Sequence, residues 1–307
     1  MVMKRITIFG ILTLLSIHSF YGQQDPQYTQ YMYNMNVVNP AYAGSHETLN
    51  IGLLYRTQWV GLDGSPETYT FAVDAPIRKN LGVGLSLIAD KIGPVKEQNL
   101  YVDVSYTIAT SDYGKLAFGV KAGFTFFDAL LSNLDLGDNI PDDLFDDDIN
   151  DTYPNFGAGI YYYTNKFYVG LSMPNMLNQL HVEKTGGVIT SAAEKMHYFL
   201  TAGYVFDLNK DLKLKPAVFL KGAQGVPLSI DVSANMLIYE KFEAGLSWRV
   251  DDSVSALANF RVSRSMRIGY AYDYTLTNLG DFNSGSHEIL VLFNISNSRT
   301  GVSPRFF

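Results

Sequence analysis

The chain has 307 residues, of which 17% are charged and 14% aromatic, with 26 Gly, 21 Tyr and 19 Phe. The charged share lies below the roughly 25% usual for soluble domains, and this mixture disfavours helices and favours strands. A net charge of -7 argues against nucleic acid as a partner, and zero Cys excludes disulfides, thiolate catalysis and Cys-ligated metals. A mean hydropathy of +0.01 excludes a helical membrane bundle.

The first residues read as an export address. Lys4 and Arg5 precede an apolar run from Ile6 to about Ile17, then Ser19-Phe20-Tyr21-Gly22. This is the layout of a signal peptide over residues 1–22, with the cut expected after Gly22 although Phe20 is large for that site. Its removal takes two positive charges from the chain and directs the mature protein out of the cytoplasm.

Residues 23–47 form a pre-barrel segment dense in Tyr, Met, Asn and Gln. Tyr28, Tyr31, Met32 and Met35 follow the i, i+3, i+4, i+7 spacing of a short amphipathic helix that would stop before Asn39-Pro40. Such a helix would pack in the periplasmic mouth as a partial plug or dock a periplasmic partner. An extended linker is the alternative reading.

From residue 48 to residue 307 the period is two. Leu116, Phe118, Val120, Ala122, Phe124 and Phe126 share one face against Lys115, Ala117, Gly119, Lys121, Gly123 and Thr125. Phe242 to Val250 and Met266 to Tyr274 alternate in the same way, a phase that no helix keeps. Fourteen such strands centre near Leu53, Phe71, Leu85, Val104, Val120, Gly159, Val169, Ala202, Ala217, Val232, Leu246, Ala258, Tyr270 and Val291. Most run for about ten residues, the length that crosses a bilayer when tilted.

Loop lengths sort by parity. Every even-numbered connection is short, from Arg78-Lys79-Asn80 to Ser263-Arg264-Ser265, while the long ones (128–152, 176–194 and 277–286) take odd positions. The pattern predicts an all-β protein, a transmembrane antiparallel β-barrel of the outer membrane with short periplasmic turns and a periplasmic N-terminus. A secreted β-sandwich is the competing architecture, but strands this long and regular are atypical of one. Lipid explains the apolar face, and closure removes the edges.

The polar face supplies a mixed-sign lumen: Arg56, Asp103, Lys121, Lys213, Lys215, Lys221, Asp231, Asn235, Glu243, Arg249, Asn259, Arg261, Arg267 and Asp273. Such a lining keeps a wide lumen solvated or locks strands together through cross-strand pairs. A pore selective for one solute class would more readily carry a constriction of one sign. The Asp-rich stretch 128–151 lacks the ligand spacing of a calcium loop and reads as a solvated external loop. No H-E-x-x-H or G-x-S-x-G pattern occurs, so no catalytic residue, metal site or cofactor is expected.

The run Asp25 to Asn34, followed by Asn39-Pro40-Ala41-Tyr42-Ala43-Gly44, resembles the N-terminal signature of the PorP/SprF family of the Bacteroidota type IX secretion and gliding systems. Tyr55 to Pro66, Pro154 to Tyr163, Gly170 to Asn175 and the closing Pro304-Arg305-Phe306-Phe307 are similar to the same family. The resemblance implies a non-enzymatic barrel that works in a complex. It implies as partners a large secreted, adhesin-like protein with a type-B C-terminal sorting domain and a periplasmic peptidoglycan-binding protein, alongside outer-membrane lipids. Tyr28, Tyr31, Met32, Asn39 and Pro40, with Trp59 and Asp63 of the following turn, are the candidate partner surface. Trp59 as a membrane-interface anchor, with Asn39-Pro40 and Asp63-Gly64 as ordinary turns, is the plainer alternative. A diffusion pore or solute transporter is the competing function.

Overall fold

The computed structural model describes residues 27–133, 148–177, 179–185, 188–194, 196–223 and 226–295, with the backbone course alone over 179–194. The signal peptide, most of the Asp-rich stretch and the C-terminal tail lie outside the described residues.

The strands are β1 (Leu49–Thr57), β2 (Glu67–Arg78), β3 (Leu81–Ile92), β4 (Val95–Ala109), β5 (Lys115–Ala129), β6 (Ile149–Tyr163), β7 (Phe167–Met173), β8 (Gln179–Thr185), β9 (Val188–Glu194) and β10 (His197–Tyr204). They continue as β11 (Phe206–Asp207), β12 (Leu212–Ala223), β13 (Val226–Ile238), β14 (Phe242–Arg249), β15 (Ser253–Arg261), β16 (Met266–Thr275) and β17 (Ser286–Ile295). Sequence neighbours pair antiparallel around the sheet. β1 pairs β17, and β10 bridges β7 to β12, so the sheet closes on itself. The two-residue β11 continues β10 past Val205, and β8 and β9 form a separate hairpin within the β7–β10 connection, leaving fourteen staves in the wall.

All fourteen centres read from the sequence fall inside staves. Two differences have local causes. β4, β5 and β6 reach 15 residues and shorten the expected 128–152 loop to residues 130–148, because Phe127 and Ala129 still pack inward. The β7–β10 connection, read as an open loop, pairs part of its own backbone as a hairpin.

The outer face is apolar. Val120, Phe124, Leu171, Leu246, Trp248 and Tyr270 all point outward and are exposed, which in a barrel is contact with lipid. Tyr113 and Tyr239 stand exposed in two of the short turns, and Tyr274 and Trp248 near the opposite rim, the positions of interfacial aromatic girdles. No helix among the described residues is long and apolar enough to cross a membrane.

The hydrophobic core is inside the wall. Residues 28–42 of the pre-barrel segment supply Tyr28, Tyr31, Met32, Met35, Val37, Val38, Ala41 and Tyr42, which pack on inward residues such as Tyr101, Tyr161, Phe199 and Phe219. The segment is broken rather than a single helix. A 3₁₀ turn over Tyr31–Tyr33, one α-helical turn over Met35–Val38 and a second 3₁₀ turn over Pro40–Tyr42 follow one another. It is surrounded by wall, so no amphipathic face is required and the backbone bends to the contacts available.

Candidate functional site

The lumen and the segment within it form one polar and aromatic assembly. At the long-connection half of the barrel, the backbone N–H groups of Thr29 and Gln30 donate to the two oxygens of Glu288 at 3.0 and 2.9 Å. The Thr29 hydroxyl donates to Asp273 at 2.7 Å, and Arg56 lies 2.7 Å from Asp273 and 3.4 Å from Glu288. Arg56 is 2% exposed and Glu288 0%. A lone buried charge of this kind is costly, so the pairing and the hydrogen bonds to the segment's backbone hold one another in place.

Deeper toward the short turns, the Tyr33 hydroxyl donates to Glu243, which also accepts from Asn259 and Arg267, each at 3.3 Å. Lys215 and Arg267 stand over the Tyr33 ring at 5.4 and 5.3 Å, within cation–π range. Lys121 pairs with Asp103 at 3.2 Å and donates to the Asn36 carbonyl. Arg249 pairs with Asp231 at 2.8 Å and Asp252 at 3.0 Å. Arg261 is half-buried near the short turns, with no ion pair among the described residues.

The last part of the segment beds into glycine. Built Cβ atoms would strike Ala43 from Gly82, Asn36 from Gly84, Pro40 and Ala41 from Gly119, and Asn39 from Gly159 and Gly170. The clearance lets backbone meet backbone at Gly82 and Gly119 and seats the Asn36 and Asn39 side chains at Gly84, Gly159 and Gly170. In that trough Asn39 accepts from the Ala41 N–H at 2.9 Å and donates to the Ile160 carbonyl at 3.1 Å. Ser105 and Ser172 donate to the carbonyls of Ala43 and Val38. Asp74 receives the Gly44 N–H at 2.8 Å. The segment thus starts beside Glu288 and Arg56, descends through the lumen and leaves at the short-turn rim, where Glu47 pairs with Lys115.

These contacts relocate one group of expected residues. Tyr28, Tyr31, Met32, Asn39 and Pro40, read as a partner surface, are buried inside the wall and offer no accessible face. The ion cluster and the glycine trough draw the segment along the lumen, so it fills the interior and meets the short-turn mouth only at its end. Trp59 and Asp63 lie instead on the long-connection rim. Trp59 adopts φ +48°, is half-buried and donates its N–H to Ser286 at 3.2 Å, while Asp63 is exposed. Backbone bonds from Val60 to Gly285, from Ser284 to Val60 and from Gly93 to Gly64 tie this loop to two neighbouring connections.

At the short-turn rim the contacts are modest. Lys213 donates to Glu240 at 3.0 Å and holds its carboxyl below the usual range, and Lys166 pairs with Asp207 at 2.6 Å. Among the described residues no group of three metal-ligating side chains converges.

Sequence reading missed Glu288, Thr29 and Gln30. β17 carries Ile289 and Val291 outward and Leu290 inward, so apolar residues on both faces hid which way Glu288 pointed. Thr29 and Gln30 contribute backbone donors, which no residue type advertises. The glycines were legible only as strand residues, since their common counter-surface is spread over β3, β5, β6 and β7.

A closed antiparallel wall, a lipid-facing apolar exterior and a filled polar lumen define an outer-membrane β-barrel. The chain belongs to the family described as type IX secretion system membrane protein PorP/SprF, whose profile matches residues 20–293. Among solved structures, a mutant of the TodX monoaromatic hydrocarbon channel aligns with a TM-score of 0.50 at 10% identity, covering 85% of this chain and 94% of its own. The Pseudomonas putida toluene transporter TodX gives 0.49 at 11%, covering 86% and 95%. Omp33 of Acinetobacter baumannii gives 0.48 at 8%, covering 81% and 98%. The first of these likenesses bears on the barrel fold alone. No protein of curated function matches the chain in sequence.

Proposed function

We propose that this barrel is a non-enzymatic component of type IX secretion that supports export or surface anchoring of one cognate secreted protein, an adhesin-like chain with a type-B C-terminal sorting domain. The observation that carries the reading is the occupied lumen. The inward charges that an open pore would present to solute are engaged by the chain's own residues: Asp273 and Glu288 by Arg56, Thr29 and Gln30, Glu243 by Tyr33, and Lys121 by Asn36. Membership of the family supplies the secretion context.

With the interior committed, recognition falls to the rims. The tied loop carrying Trp59 and Asp63 is the partner-facing surface on the outward side, and the short-turn rim faces a periplasmic peptidoglycan-binding protein.

The test is a gentle detergent pull-down of the tagged protein from its native outer membrane, read by mass spectrometry. Co-purification of one large secreted protein with a C-terminal sorting domain is the expected result. The barrel recovered alone, with steady solute-selective conductance in planar bilayers, would replace this reading with a transporter.

A further inference from the structure

We propose that the outer wall carries a specific site for the phosphorylated glycolipid of the outer leaflet, on the face formed by β1 to β5. Three successive outward rows, fixed by strand register, carry the argument.

The row nearest the long connections is charged. Glu67 stands opposite Lys91, Lys91 opposite Lys96, and Lys96 opposite Asp128. The next row is Tyr69, Ala89, Gln98 and Phe126, and the third is Phe71, Leu87, Leu100 and Phe124. Ala89 is the one small side chain in these lower two rows. Around it the wall sinks into a depression of about 640 Å³, bounded by Tyr55, Tyr69, Phe71, Leu87, Leu100 and Phe126. That volume is in the range of small-molecule sites. The convex outside of a barrel has no packing reason to be hollow, and the surrounding solvent here is hydrocarbon.

The chemistry identifies the occupant. The depression takes acyl chain, since the outward side chains that line it are aromatic or aliphatic apart from Gln98 at its charged edge. Directly above it Lys91 and Lys96 are exposed, and neither makes an ion pair within the protein among the described residues. Adjacent ammonium groups at a membrane interface match a lipid phosphate. The flanking Glu67 carboxylate and the Gln98 amide accept from or donate to sugar hydroxyls, which a simple cationic patch would not require, while Asp128 at the row's end is held by Asn150. Acyl chain, phosphate and sugar together specify a phosphorylated glycolipid rather than a glycerophospholipid.

The assignment rests on the long-connection rim facing outward, and the experiment separates that premise from the site. The full-length protein is purified from native outer membrane in mild detergent and weighed by native mass spectrometry. The expected spectrum carries one glycolipid adduct. Ala89→Trp fills the depression from the lipid side, and Lys91→Gln with Lys96→Gln removes the phosphate contacts; both variants should lose the adduct while keeping heat-modifiable migration. Adduct-free wild type, an adduct undiminished in Ala89→Trp, or an adduct of glycerophospholipid would overturn the site. Failure of an Asp63→Cys variant to react with an impermeant maleimide on intact cells would overturn the orientation on which it rests.

Discussion

Arg56 is the residue on which three parts of the molecule converge. It comes from β1, its partners Asp273 and Glu288 from β16 and β17, and the same carboxylates bind the segment at Thr29 and Gln30. Arg56→Met should destabilise the barrel by about 3–5 kcal/mol, because it strands two buried carboxylates. The temperature at which the folded band disappears on gels would fall accordingly, and an unchanged value would refute the clamp. Gly119 makes the complementary case. Gly119→Val suits a strand but collides with Pro40 and Ala41. A Tyr31→Cys reporter, clean in a chain without Cys, should therefore be labelled by a small maleimide in the Gly119→Val background and be protected otherwise. Most inward charges were legible from alternation, because lipid leaves them only one side to occupy, whereas Glu288 on the doubly apolar β17 was not. The partners of these charges were not legible, since Lys121 meets Asn36 and Tyr33 meets Glu243 across large sequence separations.

At the scale of elements, the wall and the segment were unequally readable. Each stave announces itself through a period of two that lipid on one side and polar groups on the other enforce. The segment's apolar spacing suggested a helix, yet it is enclosed on all sides and breaks into three short turns. Its halt before Asn39-Pro40 was legible because proline restricts the residue ahead of it. Its place in the lumen was not, because a groove of glycines has no signature until the sheet is rolled. Deleting residues 27–43 should convert a quiet barrel into one with steady conductance in planar bilayers. Equal, low conductance in both forms would show that the segment does not seal the lumen.

Over the whole molecule, the parity of connection lengths foretold the closed antiparallel order, and the pairing of β1 with β17 completes it. The tied rim around Trp59 gives the assembly a stiff upper edge. Replacing Val60 to Ser65 with a flexible Gly/Ser stretch should leave the heat-modifiable fold intact and weaken capture of the secreted partner in pull-downs. Retained capture would move recognition elsewhere on the barrel.

The clamp at Arg56 also bears on the order in which the chain is built. It bridges the first stave and the last two, so its parts meet only when the sheet becomes a cylinder. The segment hydrogen-bonds to both sides of that junction, from Thr29 to Asp273 and Glu288 and from Arg56 to Thr29. It acts as an internal template across the seam. Sealing the cylinder and seating the segment's first turn at Thr29 and Gln30 are thus coupled, governed by contacts among the most distant in sequence and therefore slow to find. Weakening the template should lengthen the lifetime of open, unsealed intermediates during assembly, even where the finished barrel survives.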